Sequence, residues 1–583
     1  MRASIAEPRR APAARGAGAG ASRARRAICA SLALAALPPS PEAPGLPPIV
    51  FVSRHALPGE PGAIPGLGPH HRAVATGGRL MLLDRGGRVR PLLPEGALHD
   101  ASDPAVSPDG ARVAFAGLAS ADGAWRLYVV GLDGRGLAAV TGTDSARDAA
   151  GGAPPARYDD LDPCWISERT LAFASTRYPQ RAQYADLPVT NLYRVDLPHG
   201  RPRRLTSERN GAEEPCFDPA SGRVLFARWW YNRYHASDRA PGGLTTRAAE
   251  AIPADSANLW QVMEMWPDGT DPRLAAGWLR TRRSTMAYQP AVLEDGTVLG
   301  VYATNLALSP SAGGTGIQAF ERRFDGARRL AGADPAAGDA GYGGTRGLAA
   351  PAACAPAALP GGRVLFAYDP GARGDFGIWV MNADGSGRRS VVDLPGTLEL
   401  DPAPVVRRSL AARNRPRGRT GAEREAPAAE REPPAAPATD LDALVHPRET
   451  FRFQSLDVFA GGPAGSEGGV PPPRTAGARI RFFATLARPA AAGGDTAVLV
   501  REAPVGRDGA VDETGLPAGT PMFEQIVDGN GRVLRTARGP AQGLGSNAAP
   551  AGETVRCVGC HLGHSTLLAR RPRAYGPGSR SPR

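Results

Sequence analysis

The sequence predicts an all-β chain, in which a six-bladed β-propeller is followed by a small β-sandwich-like domain. Three observations support this fold class. The 583 residues include 73 Gly and 58 Pro, which favour turns and disfavour helices. A unit of short strands joined by Asp-Gly turns recurs through residues 45–406. A second group of strand-like segments follows between residues 445 and 551.

Residues 1–44 are expected to be an export signal and a disordered N-terminus. A basic segment ends in Arg25-Arg26, and an apolar run then covers residues 27–37. This order is typical of a secretory signal, and the run is too short to span a bilayer. We therefore expect an exported, periplasmic protein. A disordered tail rich in Arg and Ala is the alternative interpretation.

Each repeat begins with an X-Pro dipeptide, in which the residue X varies between copies. It continues through a Pro/Asp-Gly turn into short strands. In the first full copy, Asp103-Pro104 precedes the turn at 108–110 and strands at 112–116 and 126–130. Strands joined by Asp-Gly turns indicate hairpins, and a recurring unit of four short strands indicates a propeller blade. The six copies start at Asp103, Asp162, Glu214, Gln289, Ala355 and Asp401.

The two ends of the repeat region predict how the propeller closes. The last copy, 401–406, supplies one strand before the linker, and residues 49–53 supply an unmatched strand at the start. Together these partial copies make one blade, which leaves no open sheet edge. We therefore expect six blades over residues 45–406.

The sequence pattern of the repeat resembles that of the TolB-like family of periplasmic propellers. That resemblance implies the fold and leaves the chemistry open, because propellers are scaffolds for many functions. The Asp-rich turns, such as Asn382 to Gly387, are interpreted as hairpin turns and not as calcium loops, since the other EF-hand ligands are missing.

Residues 407–444 are rich in Arg, Ala, Glu and Pro and predict a disordered linker. Strand-like runs return at 479–484, 496–500, 521–527 and 532–536, within a small β domain over 445–551. The net charge of +12 comes from scattered Arg residues. Without a recognisable binding module it predicts no nucleic-acid partner, and the lack of an apolar stretch of 18 residues predicts no transmembrane segment.

The chemistry is concentrated in residues 552–583, which contain Cys557-Val558-Gly559-Cys560-His561. Cys-x-x-Cys-His is the attachment signature of haem c. It predicts one covalent haem, with Cys557 and Cys560 as thioether sites and His561 as the iron ligand. The alternatives are a zinc half-site, a redox Cys-x-x-Cys and a chance match to the motif. Zinc needs two further ligands, and no βαβ context supports a thioredoxin-type motif.

A sixth iron ligand is not evident from the sequence. His564 lies on the same face as His561 if the segment is helical, so it does not reach the opposite haem face. Candidates by residue type are His55, the pair His70-His71, His446 and Met522. An open coordination position, able to bind a small molecule, is the other interpretation.

The domain combination resembles the family of the hydrazine synthase alpha subunit. The resemblance is carried by 224–231, by 508–532 and by 552–561. It implies a periplasmic haem protein whose β domain packs around a c-type haem at Cys557, Cys560 and His561. This chain has a single Cys-x-x-Cys-His motif, whereas the hydrazine-forming type carries a second haem, so hydrazine synthesis is not expected.

Three functions follow from these patterns. The first is an exported monohaem cytochrome-like protein for electron transfer or for redox chemistry of a small molecule. The second is a TolB-like scaffold with an incidental haem, whose propeller face engages a redox partner or an envelope protein. The third is a haem enzyme acting on nitrogenous molecules. Trp229, Trp230 and Tyr231 are expected to pack between blades.

Overall fold

The computed structural model describes the chain between residues 45 and 557, with gaps. The described residues are 45–60, 62–142, 157–185, 187–198, 200–237, 243–246, 259–276, 287–303, 314–320, 322, 327–332, 351–409, 438–460, 472–487, 495–536, 539–543 and 547–557. All of them belong to one compact unit, Ser40–Arg583. The predicted export signal, linker residues 410–437, Cys560 and His561 lie outside the described residues. Neither helix in the described part has the length and apolarity needed to cross a membrane.

Six four-stranded antiparallel sheets make up most of the described residues before 405. The strands are β1 (Ile49–Arg54), β2 (Arg79–Leu83), β3 (Val89–Pro91), β4 (Asp100–Val106), β5 (Arg112–Leu118), β6 (Arg126–Gly131), β7 (Ala138–Ala139), β8 (Asp160–Trp165), β9 (Thr170–Ser175), β10 (Asn191–Asp196), β11 (Arg203–Arg204), β12 (Ala212–Asp218), β13 (Arg223–Trp230), β14 (Tyr234–Ala236), β15 (Leu244–Thr246), β16 (Leu259–Met265), β17 (Arg273–Ala276), β18 (Tyr288–Val292), β19 (Val298–Ala303), β20 (Thr315–Phe320), β21 (Ala327–Gly332), β22 (Ala352–Leu359), β23 (Arg363–Asp369), β24 (Gly377–Asn382), β25 (Arg389–Val392) and β26 (Leu398–Pro404). The sheet orders are β26-β1-β2-β3, β4-β5-β6-β7, β8-β9-β10-β11, β12-β13-β16-β17, β18-β19-β20-β21 and β22-β23-β24-β25. The strands β14 and β15 form a separate hairpin.

The second strand of each sheet carries the core because it lies between two others and packs against neighbouring sheets. Phe115, Phe173, Phe226 and Phe366 occupy the same place in their repeats and are at most 1% exposed. The turn before each such strand is fixed locally. In the first full repeat the Asp109 carboxylate accepts a hydrogen bond from the Ala111 backbone N–H at 3.0 Å. The prediction of an all-β propeller fold is confirmed.

The ring of sheets closes by pairing the two ends of the repeat region. Strand β1 pairs with β2 on one side and with β26 on the other, as expected from the partial copies. The innermost strands contact each other in a cycle, β26, β4, β8, β12, β18 and β22, and β22 contacts β26 again. Closure leaves no unpaired seam between the first and last sheets.

A regular distortion marks each innermost strand at the residue that precedes Pro. These six residues, the channel ring, have φ between 44° and 54°, in the left-handed region, and are Asp103, Asp162, Glu214, Gln289, Ala355 and Asp401. The strand pairing shifts register at each of these steps, which is the signature of a β-bulge. Positive φ is costly for residues with a side chain, so tertiary contacts must hold the ring in place.

Hydrogen bonds between neighbouring sheets supply those contacts. The Asp162 carboxylate accepts from the Glu214 N–H at 3.0 Å, and the Gln289 amide oxygen accepts from the Ala355 N–H at 2.9 Å. The Asp103 carboxylate accepts from the Asp162 N–H at 3.4 Å. Three of the six ring side chains, those of Asp103, Asp162 and Gln289, thus satisfy a backbone donor of the next sheet and tie neighbouring sheets together around the central channel.

Two three-stranded sheets that follow the propeller form a sandwich, and helix α2 begins inside the predicted linker, at Leu441. The elements of the sandwich are α2 (Leu441–Val445), β27 (Thr450–Ser455), β28 (Arg479–Leu486), β29 (Thr496–Pro504), β30 (Val511–Pro517), β31 (Met522–Val527), β32 (Arg535–Thr536), β33 (Gly539–Pro540) and β34 (Thr554–Cys557), while α1 (Gly68–His71) lies in the propeller. The sheet orders are β30-β27-β34 and β29-β28-β31, with β32-β33 a separate hairpin. Phe453 and Phe482 pack edge to face across the sandwich with ring centroids 5.1 Å apart. The predicted β-sandwich-like domain is confirmed.

The sandwich packs on the propeller beside β13 and the β14–β15 hairpin. Tyr234 stacks on Phe523 with centroids 6.1 Å apart, and its hydroxyl donates to the Asp495 carbonyl oxygen at 2.6 Å. The Asp495 carboxylate also binds Arg209 and Arg233 of the propeller. Because Asp495 and Arg209 are both nearly fully buried, this polar contact belongs to a closed junction between the two domains.

Candidate functional site

Cys557 ends β34, the edge strand that pairs in parallel with β27. Its register partner is Ser455, and side chains that alternate along β34 and β27 place both residues on the inner face of the sheet. Cys557 is 6% exposed and Ser455 is 3% exposed. The thiol lies in the apolar core of the sandwich together with Phe453, Met522 and Val555.

Two buried ionisable side chains, one from each domain, lie close enough to the Cys557 thiol to act on it electrostatically. Glu524 comes from β31 of the sandwich and Arg228 from β13 of the propeller, and both act electrostatically on Cys557. Arg228 is 1% exposed and Glu524 is 4% exposed. With Asn547, whose amide donates to Glu524 Oε1 at 2.8 Å, these residues form what we call the Cys557 cluster.

The Arg228 guanidinium is held by propeller residues. Its Nε lies 2.8 Å from Glu208 Oε2, and its carbon lies 3.9 Å from the centre of the Trp230 ring. Burial lowers the pKa of Arg228, against the opposing effect of Glu208 and Glu524. A guanidinium that stacks on an aromatic face and pairs with a carboxylate stays charged and fixed in direction. The cluster therefore contains an oriented cation supplied by the propeller.

The carboxyl group of Glu524 is poised between its two protonation states. Burial raises the pKa of Glu524 to about 7, while the hydrogen bond from Asn547 and the charge of Arg228 act in the opposite direction. A carboxyl with such a pKa exchanges a proton near neutral pH. It adds a titratable group to the surroundings of Cys557.

The Cys557 thiol itself is kept neutral. Burial raises its pKa above the ordinary value, Glu524 raises it further, and Arg228 opposes them. Zinc binding and thiol–disulfide exchange both use the thiolate. Burial of Cys557 therefore acts against the thiolate form, while the zinc half-site and the redox Cys-x-x-Cys interpretations also depend on Cys560 and His561, which lie outside the described residues. The described residues also contain no group of three His, Cys, Asp or Glu side chains placed to hold a metal ion.

Two buried polar atoms near this thiol lack a hydrogen-bond partner among the described residues. They are Ser455 Oγ, beside Cys557 in register, and Asn547 Oδ1, in the amide that binds Glu524. Buried polar atoms are normally paired in folded proteins. These two atoms are therefore open to a hydrogen bond from a group that the described residues do not supply.

The structure describes only some of the predicted site residues. It describes Cys557, while Cys560, His561 and His564 lie outside the described residues. Of the candidates for a sixth ligand, Met522 shares the apolar core of Cys557 and is 1% exposed. His55 and His446 are exposed, and His71 binds Glu60, with Nε2 and Oε2 3.0 Å apart. Met522 is therefore the described candidate that lies in the same core as Cys557.

Sequence reasoning missed Arg228, Glu524 and Asn547. Arg228 lies within the stretch 224–231, for which the aromatic residues had been noted. Trp229 and Trp230 are buried, and Trp229 stacks on Trp260, its register partner within the same sheet, with centroids 5.5 Å apart, whereas packing between blades was expected. The signal for Arg228 was an Arg inside a buried strand, since such a charge requires a partner.

No protein-family model and no curated protein matches this chain. Among solved structures, hydrazine synthase from Kuenenia stuttgartiensis is similar, with 17% identity and a TM-score of 0.59 over 89% of this chain and 69% of that one. TolB from Acinetobacter baumannii matches with 14% identity and a TM-score of 0.25, over 61% of this chain and 66% of that one. At 17% identity the first likeness shows the fold, and its aligned share is larger than the propeller alone.

Proposed function

We propose that this chain is an exported, periplasmic monohaem protein of the c type, which carries out electron transfer or redox chemistry on a small molecule. One haem would be attached through Cys557 and Cys560, with His561 as the iron ligand. The observation that carries the proposal is the Cys-x-x-Cys-His motif at 557–561, whose first cysteine is buried in the apolar core of the sandwich. A bound haem supplies a one-electron iron couple at this position.

The residues of this chain give that position a defined environment. Arg228 brings a fixed positive charge to the cluster, and Glu524 brings a carboxyl that takes up or releases a proton near neutral pH. Burial of a redox group in a low-dielectric site strengthens the effect of both charges on its potential. The junction between propeller and sandwich excludes water from this side of the cluster.

Covalent haem is tested in the full chain, exported from cells that contain a haem-maturation system. We expect the denatured protein to retain haem, and the Cys557→Ser/Cys560→Ser variant to lose it. Cys164→Ser is the matched control, because Cys164 is also a buried thiol, and we expect it to keep haem. Absence of covalent haem from the wild-type chain would overturn the proposal.

The iron coordination is tested by the absorption spectrum of the same protein. Met522→Leu preserves the volume of the core, and we expect it to remove the charge-transfer band of methionine-ligated ferric haem. A wild-type haem that binds carbon monoxide without displacing a ligand would instead indicate an open position and favour small-molecule chemistry. A redox partner or envelope protein is proposed to bind the propeller face.

A further inference from the structure

Four oxidisable aromatic side chains form a continuous column in the propeller, from its surface into its core. We call them the aromatic column, and they are Tyr184, Trp229, Trp260 and Tyr288. Tyr184 follows β9 and is 38% exposed, whereas the other three members are at most 2% exposed. Trp229 lies in β13, Trp260 in β16 of the same sheet and Tyr288 at the start of β18 in the next sheet. The column therefore crosses from one sheet to its neighbour.

The rings of the column contact one another at every step. The centroid of the Trp229 ring lies 6.1 Å from that of Tyr184 and 5.5 Å from that of Trp260. The centroids of Trp260 and Tyr288 are 4.6 Å apart. These separations are those of directly packed aromatic rings. Because the rate of electron tunnelling falls steeply with distance, rings in contact allow an electron to move along the column in short, fast steps.

The inner end of the column has a proton acceptor. The Tyr288 hydroxyl donates to Glu213 Oε2 at 2.5 Å. Arg72 pairs with the same carboxylate and also donates to the Tyr288 oxygen. Glu213 is 3% exposed, and its pairing with a guanidinium favours the ionised form. Burial raises the pKa of the Tyr288 phenol well above its ordinary value, so the reduced side chain keeps its proton.

Core packing alone requires neither of these features. Any apolar side chain of similar volume fills a buried position, and a buried phenol is satisfied by any hydrogen-bond acceptor. Here, each ring from the exposed Tyr184 to the buried Tyr288 is of a type that can lose an electron. A phenol that loses an electron becomes a strong acid, so its oxidation needs a base within hydrogen-bond distance. Glu213 is such a base.

We propose that the aromatic column is a one-electron relay and that Tyr288 is a redox-active tyrosine at its inner end. The co-reactant is a one-electron oxidant that meets the protein surface at Tyr184. The electron vacancy passes from Tyr184 through the two tryptophans to Tyr288, whose phenolic proton moves to Glu213 Oε2. The products are a neutral tyrosyl radical, a neutral Glu213 carboxylic acid and the oxidant reduced by one electron. The relay is formed by the propeller alone and does not depend on the proposed haem.

The end point of the relay is tested in the full chain, prepared without haem because haem iron would itself supply an electron. Flash oxidation with ruthenium tris-bipyridine and a cobalt(III) acceptor provides the oxidant, and electron paramagnetic resonance measures the trapped radical. We expect a long-lived tyrosyl radical in the wild type and loss of this signal in Tyr288→Phe, which removes only the hydroxyl. An unchanged signal in Tyr288→Phe, or no such radical in the wild type, would overturn the proposal.

The path is tested separately from its end point. Tyr184→Phe changes a partly exposed ring, and we expect loss of most of the Tyr288 signal because Phe is not readily oxidised. Tyr128→Phe is the matched control, since Tyr128 is also partly exposed but stacks on Phe115 with centroids 5.8 Å apart, and we expect it to keep the signal. Trp260→Phe, with folding checked by circular dichroism, should lose the signal as well. Equal signals in Tyr184→Phe and Tyr128→Phe, or a full signal in folded Trp260→Phe, would overturn the relay.

Discussion

Replacing Glu524 by Gln tests whether the Cys557 cluster contains a carboxyl that is held protonated by burial. The pKa of Glu524 is about 7 in the folded protein, compared with an ordinary value of 4.5. The folded state therefore binds the proton more tightly than the unfolded state. The stabilisation from this proton is fully present below pH 4.5 and is lost as the pH rises through 7.

The size of the effect follows from the two pKa values. Each pKa unit corresponds to about 1.4 kcal/mol, and between pH 5 and pH 8 the linkage relation gives a loss of about 2.5 kcal/mol from this group. Gln has no proton to lose. We expect the free energy of unfolding of Glu524→Gln, relative to wild type, to rise by about 2.5 kcal/mol over the same interval.

The assay is urea unfolding of haem-free protein, purified from the cytoplasm, at pH 5 and pH 8. The difference between variant and wild type cancels contributions from other titrating groups, such as Asp401 and Glu399. Glu95→Gln controls for the removal of an exposed carboxylate. If the unfolding free energies of Glu524→Gln and wild type differ by the same amount at pH 5 and pH 8, the argument that burial raises the pKa of this carboxyl is refuted.

Two other substitutions, each paired with a control, test the channel ring and the junction between the two domains. Ala355→Gly should raise the unfolding free energy by up to about 1 kcal/mol, because Ala355 has φ of 49° and Gly adopts such values without strain; Ala357→Gly, its control in the same strand, should lower it. Asp495→Ala should lower stability by about 3 kcal/mol by leaving buried Arg209 unpaired, whereas Asp512→Ala, in an exposed pair with Arg452, should cost less than about 1 kcal/mol. Thermal and urea unfolding measure all four. Equal losses for Asp495→Ala and Asp512→Ala would contradict the closed junction.

The propeller could be predicted because the residues that specify each blade lie close together in the sequence and recur along the chain. Each copy has the same turn and the same buried Phe, and the two partial copies show how the ring closes. The sandwich was predictable from its alternating strands, for the same reason. The channel ring could not be predicted, because in the sequence the residue before each Pro indicates only where a repeat begins. The role of that residue in the ring depends on a backbone N–H of the next sheet. In the pair Asp162 and Glu214, the donor lies 52 residues away in the sequence.

The Cys557 cluster was harder to predict because its members are distant in the sequence. The motif itself identifies Cys557, but nothing local connects it to Arg228 of the propeller. A buried Arg in a strand predicts that a partner exists without saying where. Glu524 lies in a buried strand of the other domain, and the two carboxylates that act on Arg228, Glu208 and Glu524, come from different domains.

Comparison of the repeats shows why Arg228 belongs to the junction and not to the propeller fold as such. Arg228 follows Phe226-Ala227 in the second strand of its repeat. The equivalent position in other copies holds Gly117, Ser175, Tyr302 and Tyr368. In the copy with Ser175, the hydroxyl serves its own sheet by donating to Asp160 at 2.6 Å. A propeller sheet therefore forms with a small or a neutral residue at this position. A buried guanidinium is costly unless it is paired, and Arg228 is found in the sheet beside which the sandwich packs. Its charge acts electrostatically on Glu524 and Cys557, so the propeller contributes to the chemistry of the cluster as well as supporting it.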